Sequence, residues 1–224
     1  MKVLPNLCSH MGHTELVSKL MRFRPSCALL LVILLAGGCA TQPIRPQAPV
    51  DLPEQIAQLS QINQWQVQGK MAIRDQNEAV SANLNWQVDN SDFHFRLTNF
   101  LGVTLVDMTN QDGVATLEAD DEVYQESDPS WLVYQVTGWH IPLSPLLMWV
   151  KGVPLATDQY TLNESGLLAS LTPGCNRCGA WQITYDDYRE TGGYWLPHAI
   201  TLTQPLQPTN FIKIRIRTWT LQTI

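Results

Sequence analysis

Val80-Ser81-Ala82-Asn83-Leu84-Asn85-Trp86-Gln87-Val88 alternates apolar and polar residues without a break. Side chains along a strand point to opposite faces in turn, so this period of two describes a strand buried on one side and wet on the other. A helix would scatter the same residues around its circumference. Similar runs are read at Gln66 to Arg74, Asp92 to Thr98, Thr104 to Thr109, Val114 to Ala119, Gln159 to Asn163, Leu167 to Leu171, Trp181 to Tyr188, His198 to Thr203 and Phe211 to Leu221. Asp112-Gly113, Ser165-Gly166 and Gly192-Gly193 supply turns between them. Strands in this meander order predict a mainly β protein built on one large curved antiparallel sheet.

A few helices interrupt the pattern. Ile56, Leu59 and Ile62 recur at a spacing of three and predict an amphipathic helix over Glu54 to Asn63. Asp128-Pro129 predicts the start of a helix at Ser130 to Thr137, and Ser144-Pro145 the start of another at Leu146 to Lys151. Both are too apolar for one narrow stripe, so they are expected to plug the concave side of the sheet, lining a cavity or completing an ordinary core. Eight tryptophans, Trp65 and Trp86 among them, suit either a tight core or a wide apolar pocket.

The unbroken apolar run from Ala28 to Ala36, preceded by Arg22 and Arg24 and closed by Gly37-Gly38-Cys39, reads as a bacterial lipoprotein signal over residues 1–38. Cys39 would then be the lipidated first residue of the mature chain. The run is shorter than the ~18 residues a spanning helix needs. Met1 to Leu20 fits a signal poorly and leaves Met21 as a candidate start. Ala40, rather than Asp, follows the cysteine and points to transfer to the outer membrane, on its periplasmic face. Residues 39–53, with four prolines from Pro43 to Pro53, read as an extended tether ahead of a domain over 54–224.

From Cys39 onward the chain has 186 residues, enough for one domain with a sizeable core, and carries 10 Lys and Arg against 19 Asp and Glu, a net charge of −9. That balance argues against a nucleic-acid partner, which needs clustered cations. Lys213, Arg215 and Arg217 alternate with Ile212, Ile214 and Ile216 and make one strand face basic, to be met by headgroups, by an acidic partner or by solvent. The acidic cluster Glu118, Asp120, Asp121 and Glu122 reads as a solvated loop. Cys175 and Cys178 stand three apart in a turn-like stretch; a small disulfide is the expectation in an oxidising compartment, with free or metal-bound thiols as the alternatives.

No bond chemistry is written in the chain. There is no G-x-S-x-G elbow, H-E-x-x-H helix, phosphate-binding loop or dinucleotide turn. His94, His140 and His198 are scattered without a nucleophile beside them and are expected as surface or rim residues. No metal site, cofactor or catalytic residue is expected.

Leu97-Thr98-Asn99-Phe100-Leu101-Gly102-Val103-Thr104-Leu105, Ile141-Pro142-Leu143 and Leu147-Met148-Trp149-Val150-Lys151-Gly152-Val153-Pro154 together resemble the LolB family of outer-membrane lipoprotein receptors. The resemblance extends through Gly69-Lys70-Met71-Ala72-Ile73, Trp86, Trp181-Gln182-Ile183-Thr184-Tyr185, Leu196-Pro197 and the last strand with Trp219. It implies an incomplete antiparallel β-barrel whose apolar interior is lidded by helices, a fold shared with the periplasmic carrier LolA. It also implies a monomer that takes triacylated lipoproteins from that carrier and releases them into outer-membrane lipid. Strand alternation then nominates Val67, Met71, Ile73, Ala82, Leu84, Trp86, Phe93, Phe95, Leu97, Val106, Met108, Leu146, Trp149 and Ile183 as the acyl-chain lining. The resemblance gives Leu101 the role of an apolar tip thrust into the membrane. Phe100 stands where the family pattern has proline, so the tip either carries two apolar side chains or folds back into the core. A lipid- or lipopeptide-sensing lipoprotein on the same half-barrel is the alternative, with a hydrolase of unrecognised nucleophile behind it.

Overall fold

The computed structural model describes residues 45–222 except 77, 120, 176, 177 and 179. The signal segment, its candidate start Met21 and Cys39 therefore lie outside the described residues. Among the described residues, one helix, α1 (Leu52–Ser60), precedes the sheet. Asp51 caps its first turn by accepting from the Glu54 N–H at 3.2 Å, and the last turn is closed from a distance. There, buried Lys151 donates through Nζ to Leu59 O at 2.9 Å, which also accepts from Ile62 N, and to Ile62 O at 2.8 Å just past the helix end. The helix begins two residues before its expected start. Leu52 and Pro53, the helix's first two residues, fall inside the stretch expected as a tether, and the Val50 N–H bonds Ser165 O.

Eleven antiparallel strands follow: β1 (Gln64–Arg74), β2 (Ala79–Asp89), β3 (Asp92–Thr98), β4 (Thr104–Gln111), β5 (Val114–Ala119), β6 (Glu122–Glu126), β7 (Gln159–Leu162), β8 (Leu168–Thr172), β9 (Gln182–Thr191), β10 (Tyr194–Gln204) and β11 (Gln207–Leu221). Their order in the sheet is β6-β5-β4-β3-β2-β1-β11-β10-β9-β8-β7. The first and last strands are thus neighbours at its middle, while β6 and β7, consecutive in sequence, form its two opposite edges. The segment joining them must cross from edge to edge. It does so with α2 (Pro129–Thr137) and α3 (Leu143–Trp149), which makes the fold an incomplete antiparallel barrel with a helical lid.

Asp112 and Gly113, both at positive φ, build a turn whose twist matches the flanking strands. Gly69 stands where the β1–β11 register shifts, and a Cβ there would lie 2.0 Å from Arg215 O, so the close crossing of these strands requires glycine.

Two expectations need correction. The acidic cluster is not all loop, since Glu122 opens β6, which pairs with β5 from Ala119↔Glu122 to Ala115↔Glu126. Residues of this edge strand are exposed on both faces, so no burial alternation marks it in the sequence. The second lid helix starts at Leu143 rather than Leu146 and stops at Trp149 rather than Lys151. Pro145 lies inside its first turn, where the missing N–H has no intrahelical acceptor to lose. At α2 the expected cap is present, with Asp128 Oδ1 accepting from Ser130 N at 2.9 Å and Trp131 N at 3.3 Å.

Indoles divide the interior. Trp65, Trp86 and Trp219 cluster under β1, β2 and β11 with ring centroids 5.1 and 5.5 Å apart, and Trp219 Nε1 donates to Pro197 O at 3.1 Å. Under the other half, Trp149 Nε1 donates to buried Asp158 at 2.7 Å. The same carboxylate accepts from Leu155 N and Gly174 N, tying the end of the lid to the far edge of the sheet.

Candidate functional site

Between the lid and the inward face of the sheet lies a cavity of about 180 Å³. Met71 and Ile73 of β1, Trp86 of β2, Phe93, Phe95 and Leu97 of β3, Val106 and Met108 of β4 and Leu146 of α3 stand in its wall, as strand and helix periodicity placed them. Among the described residues no charged side chain lines it, and Thr137 is the one hydroxyl there. The indole N–H of Trp86 is buried without an acceptor among the described residues, the single such group in the wall.

Val67, Leu84, Trp149 and Ile183, and with them Ala82, are buried but do not line the cavity. Val67 is covered by its cross-strand neighbours Trp86 and Trp219, Trp149 is turned to Asp158, and Ile183 packs beside Leu171 and Leu202 under the other half of the sheet. Alternation tells which side chains point inward; it does not tell which of them meet empty space. Sequence reasoning also missed Leu117 and Ala119 of β5, the lid residues Val133, Val136, Trp139, Ile141 and Leu143, and Leu202, Ile212 and Ile214. The lid residues were legible as excess apolar surface, although nothing in the sequence separated lid from core.

Few polar bonds hold the lid. Ser130 Oγ accepts from Leu143 N at 3.0 Å and ties α2 to α3, while Trp181 Nε1 donates to His140 O at 2.8 Å. Tyr134 stacks on His140 with centroids 4.0 Å apart, and Trp139 stacks on Trp181 at 5.9 Å. The Trp149–Asp158 bond adds a third polar tie at the end of α3, and the lid residues that face the cavity are apolar apart from Thr137.

Outside the cavity, Phe100 and Leu101 are 89% and 74% exposed at the tip of the β3–β4 connection. They do not fold back into the core. Asn99 holds the tip in place of a proline: its Oδ1 accepts from Leu101 N at 2.9 Å and Val103 N at 3.0 Å, its N–H donates to Val103 O at 2.8 Å, and Gly102 takes φ +86°.

The remaining expected sites are dispersed. Cys175 and Cys178 are joined by a disulfide beside β8. His94 bonds Asp107 at 2.7 Å together with Arg96 on the outer face of the sheet. His198 corrects the expectation of a surface residue. It is buried where β10 parts from β11, with Nδ1 against Ile216 O at 2.8 Å, and desolvation pulls its pKa below the usual histidine value.

The model of the family described as outer membrane lipoprotein LolB matches residues 63–219. The outer-membrane lipoprotein LolB of Aeromonas hydrophila subsp. hydrophila is 38% identical over 191 residues, which are 85% of this chain and 93% of that one. Its namesake from Vibrio cholerae is 32% identical over 196 residues, 86% and 94% of the two chains. Among solved structures, a DUF1329 family protein from Desulfovibrio piger superposes with a TM-score of 0.50 at 10% identity, covering 79% of this chain and 95% of that one, a likeness of fold alone.

Proposed function

The chain belongs to the family of outer-membrane lipoprotein LolB, and from that premise we propose that it is a receptor accepting triacylated lipoproteins from the periplasmic carrier LolA and inserting them into the outer membrane. Lipid on Cys39 would anchor it, as a monomer, to the periplasmic face of that membrane. No cofactor or bond-making step enters the reading.

The observation that carries it is an uncharged cavity closed by a helical lid whose packing is mostly apolar. Exposing a sixteen-carbon acyl chain to water costs about 13 kcal/mol at ~0.8 kcal/mol per methylene, so cargo must pass from one apolar interior to the next. The lid lies across the mouth of this space, so cargo enters by displacing α2 and α3. The apolar packing that the lid gives up on opening is of the kind that acyl chains restore, so opening needs no nucleotide. Transfer runs forward if this cavity binds the chains more favourably than the carrier does, and the bilayer more favourably again. Phe100 and Leu101 would contribute about 2 kcal/mol each on entering the acyl region and would open the path for release.

The test is a transfer assay. LolA loaded with a radiolabelled lipoprotein is mixed with the chain carrying Cys39→Ala, then with liposomes, and compared with the same chain bearing Leu101→Glu. Expected is that both strip cargo from the carrier and that only the chain with Leu101 delivers it. Cargo that never leaves the carrier would overturn the receptor reading in favour of a lipid sensor.

A further inference from the structure

Lys70 and Arg74 of β1 and Lys213, Arg215 and Arg217 of β11 all stand exposed on the outward face of two adjacent strands. They are half of the ten Lys and Arg that follow Cys39. Register makes the crowding explicit. Lys70 lies directly opposite Arg215, Lys213 opposite Ala72 one step along, and Arg74 opposite Phe211. Like charges placed directly across a strand pair are destabilising. None of the five enters an ion pair among the described residues, and Lys213 Nζ rests 4.5 Å over the Phe211 ring instead. Among the described residues, the strands paired with this stripe place no carboxylate opposite it, and Asp186 stands one strand further on, opposite Ala199. The cost within the domain points to an anion supplied from outside.

What the anion belongs to follows from the neighbours. The antiparallel registers bring the β3–β4 tip, the β1–β2 turn and the β10–β11 turn to one end of the sheet. Leu206, in the β10–β11 turn, is 89% exposed. From the midline of β3 and β4 to that of β10 and β11 is four strand spacings, about 19 Å along the sheet at ~4.8 Å each, with β2, β1 and the basic stripe between. Two apolar tips straddling a group of cations match a bilayer, whose acyl region takes the tips and whose phosphates take the cations. An acidic protein would satisfy the cations and leave Leu206 without a role. The β1–β2 turn carries Asp75 and Glu78 beside Arg74, and the other four cations run back along the strands from there.

We propose that the outward face of β1 and β11, with Leu206 at its tip, is a second membrane contact that lays the domain on anionic phospholipid at two points and fixes its orientation for release. The proposal rests on the membrane-delivery reading above. With a single apolar loop in the bilayer the domain would pivot about that loop; with Leu206 and the stripe engaged, the strands between the tips are held against the headgroups.

The test uses the full lipidated protein reconstituted into vesicles of phosphatidylethanolamine and phosphatidylglycerol at three to one, with an environment-sensitive dye on Leu206→Cys or on Leu101→Cys and brominated lipid as quencher. Both dyes are expected to be quenched. Lys70→Gln with Arg215→Gln is expected to lower the docked-to-undocked ratio read at position 206 roughly 30-fold, near fivefold per charge, while leaving the melting temperature equal or higher. Raised salt should mimic that change. Quenching at 101 with none at 206 overturns the proposal and leaves delivery standing. No quenching at either position removes the delivery reading itself. Burial of the 206 dye only when LolA is added would assign the face to an acidic protein and also overturn the proposal.

Discussion

Replacing Ala119 with leucine should make the protein more stable and a poorer receptor. Ala119 ends β5 on its inward face and stands in the cavity wall. Keeping about 180 Å³ of apolar space empty costs about 4 kcal/mol at the ~24 cal/mol per Å³ found for cavities in protein cores. Leucine adds three carbons and recovers about 2 kcal/mol at ~0.8 kcal/mol per buried carbon if they enter the void. The same carbons exclude about three methylenes of cargo, worth ~2.4 kcal/mol, or roughly 50-fold in the equilibrium for holding an acyl chain. Urea unfolding reads the first effect as a higher midpoint at unchanged slope. Transfer from loaded LolA reads the second. A variant that gains stability yet accepts cargo at the original level would refute the cavity as the acyl site. A less stable variant would refute the view that the space is free to be filled.

Burial lowers the pKa of Lys151 from 10.5 to about 8, and two hydrogens of a neutral amine still serve Leu59 O and Ile62 O. Between those values the unfolded chain holds a proton that the native one has released, so stability rises with pH. About 2 kcal/mol should be gained from pH 7 to 9.5 in urea titrations, and Lys151→Met should flatten the profile. Tyr185 and Tyr188, whose pKa values burial raises, titrate above this window in the native state. Asp158→Asn exchanges one acceptor oxygen for a donor that faces either Gly174 N or the Trp149 and Leu155 N–H groups, and should cost about 1–3 kcal/mol in thermal or chemical unfolding.

The sheet was readable because each of its long strands is buried on one face, and a half-buried strand writes its geometry into every second residue. β2 shows this from Ala82 to Val88. β6 was not readable for the same reason inverted, since an edge strand exposed throughout leaves no alternation. Loop tips were legible where a family pattern singled them out, as at Leu101, and silent at Leu206, a lone leucine in a proline turn whose meaning appears only when the register puts it beside the other tip. His198 was misjudged because its burial depends on β10 leaving β11, a long-range event with no local mark.

The cavity poses a different limit. Val67 and Met71 share one face of β1, four residues apart, and only Met71 meets the void. What separates them is the position of the indoles of Trp86 and Trp219, fixed by partners more than ten residues away in sequence and far apart from each other. The topology turns this into function. With β1 beside β11, Trp65, Trp86 and Trp219 of β1, β2 and β11 pack together under the middle of the sheet. The crossing segment from β6 to β7 must then cover what remains, and it does so with two short helices held by a few polar bonds. A wall packed with indoles facing a lid of two short helices gives an interior with one side built from sheet and the other from a separate crossing segment, the arrangement on which the proposed uptake and release of lipid relies.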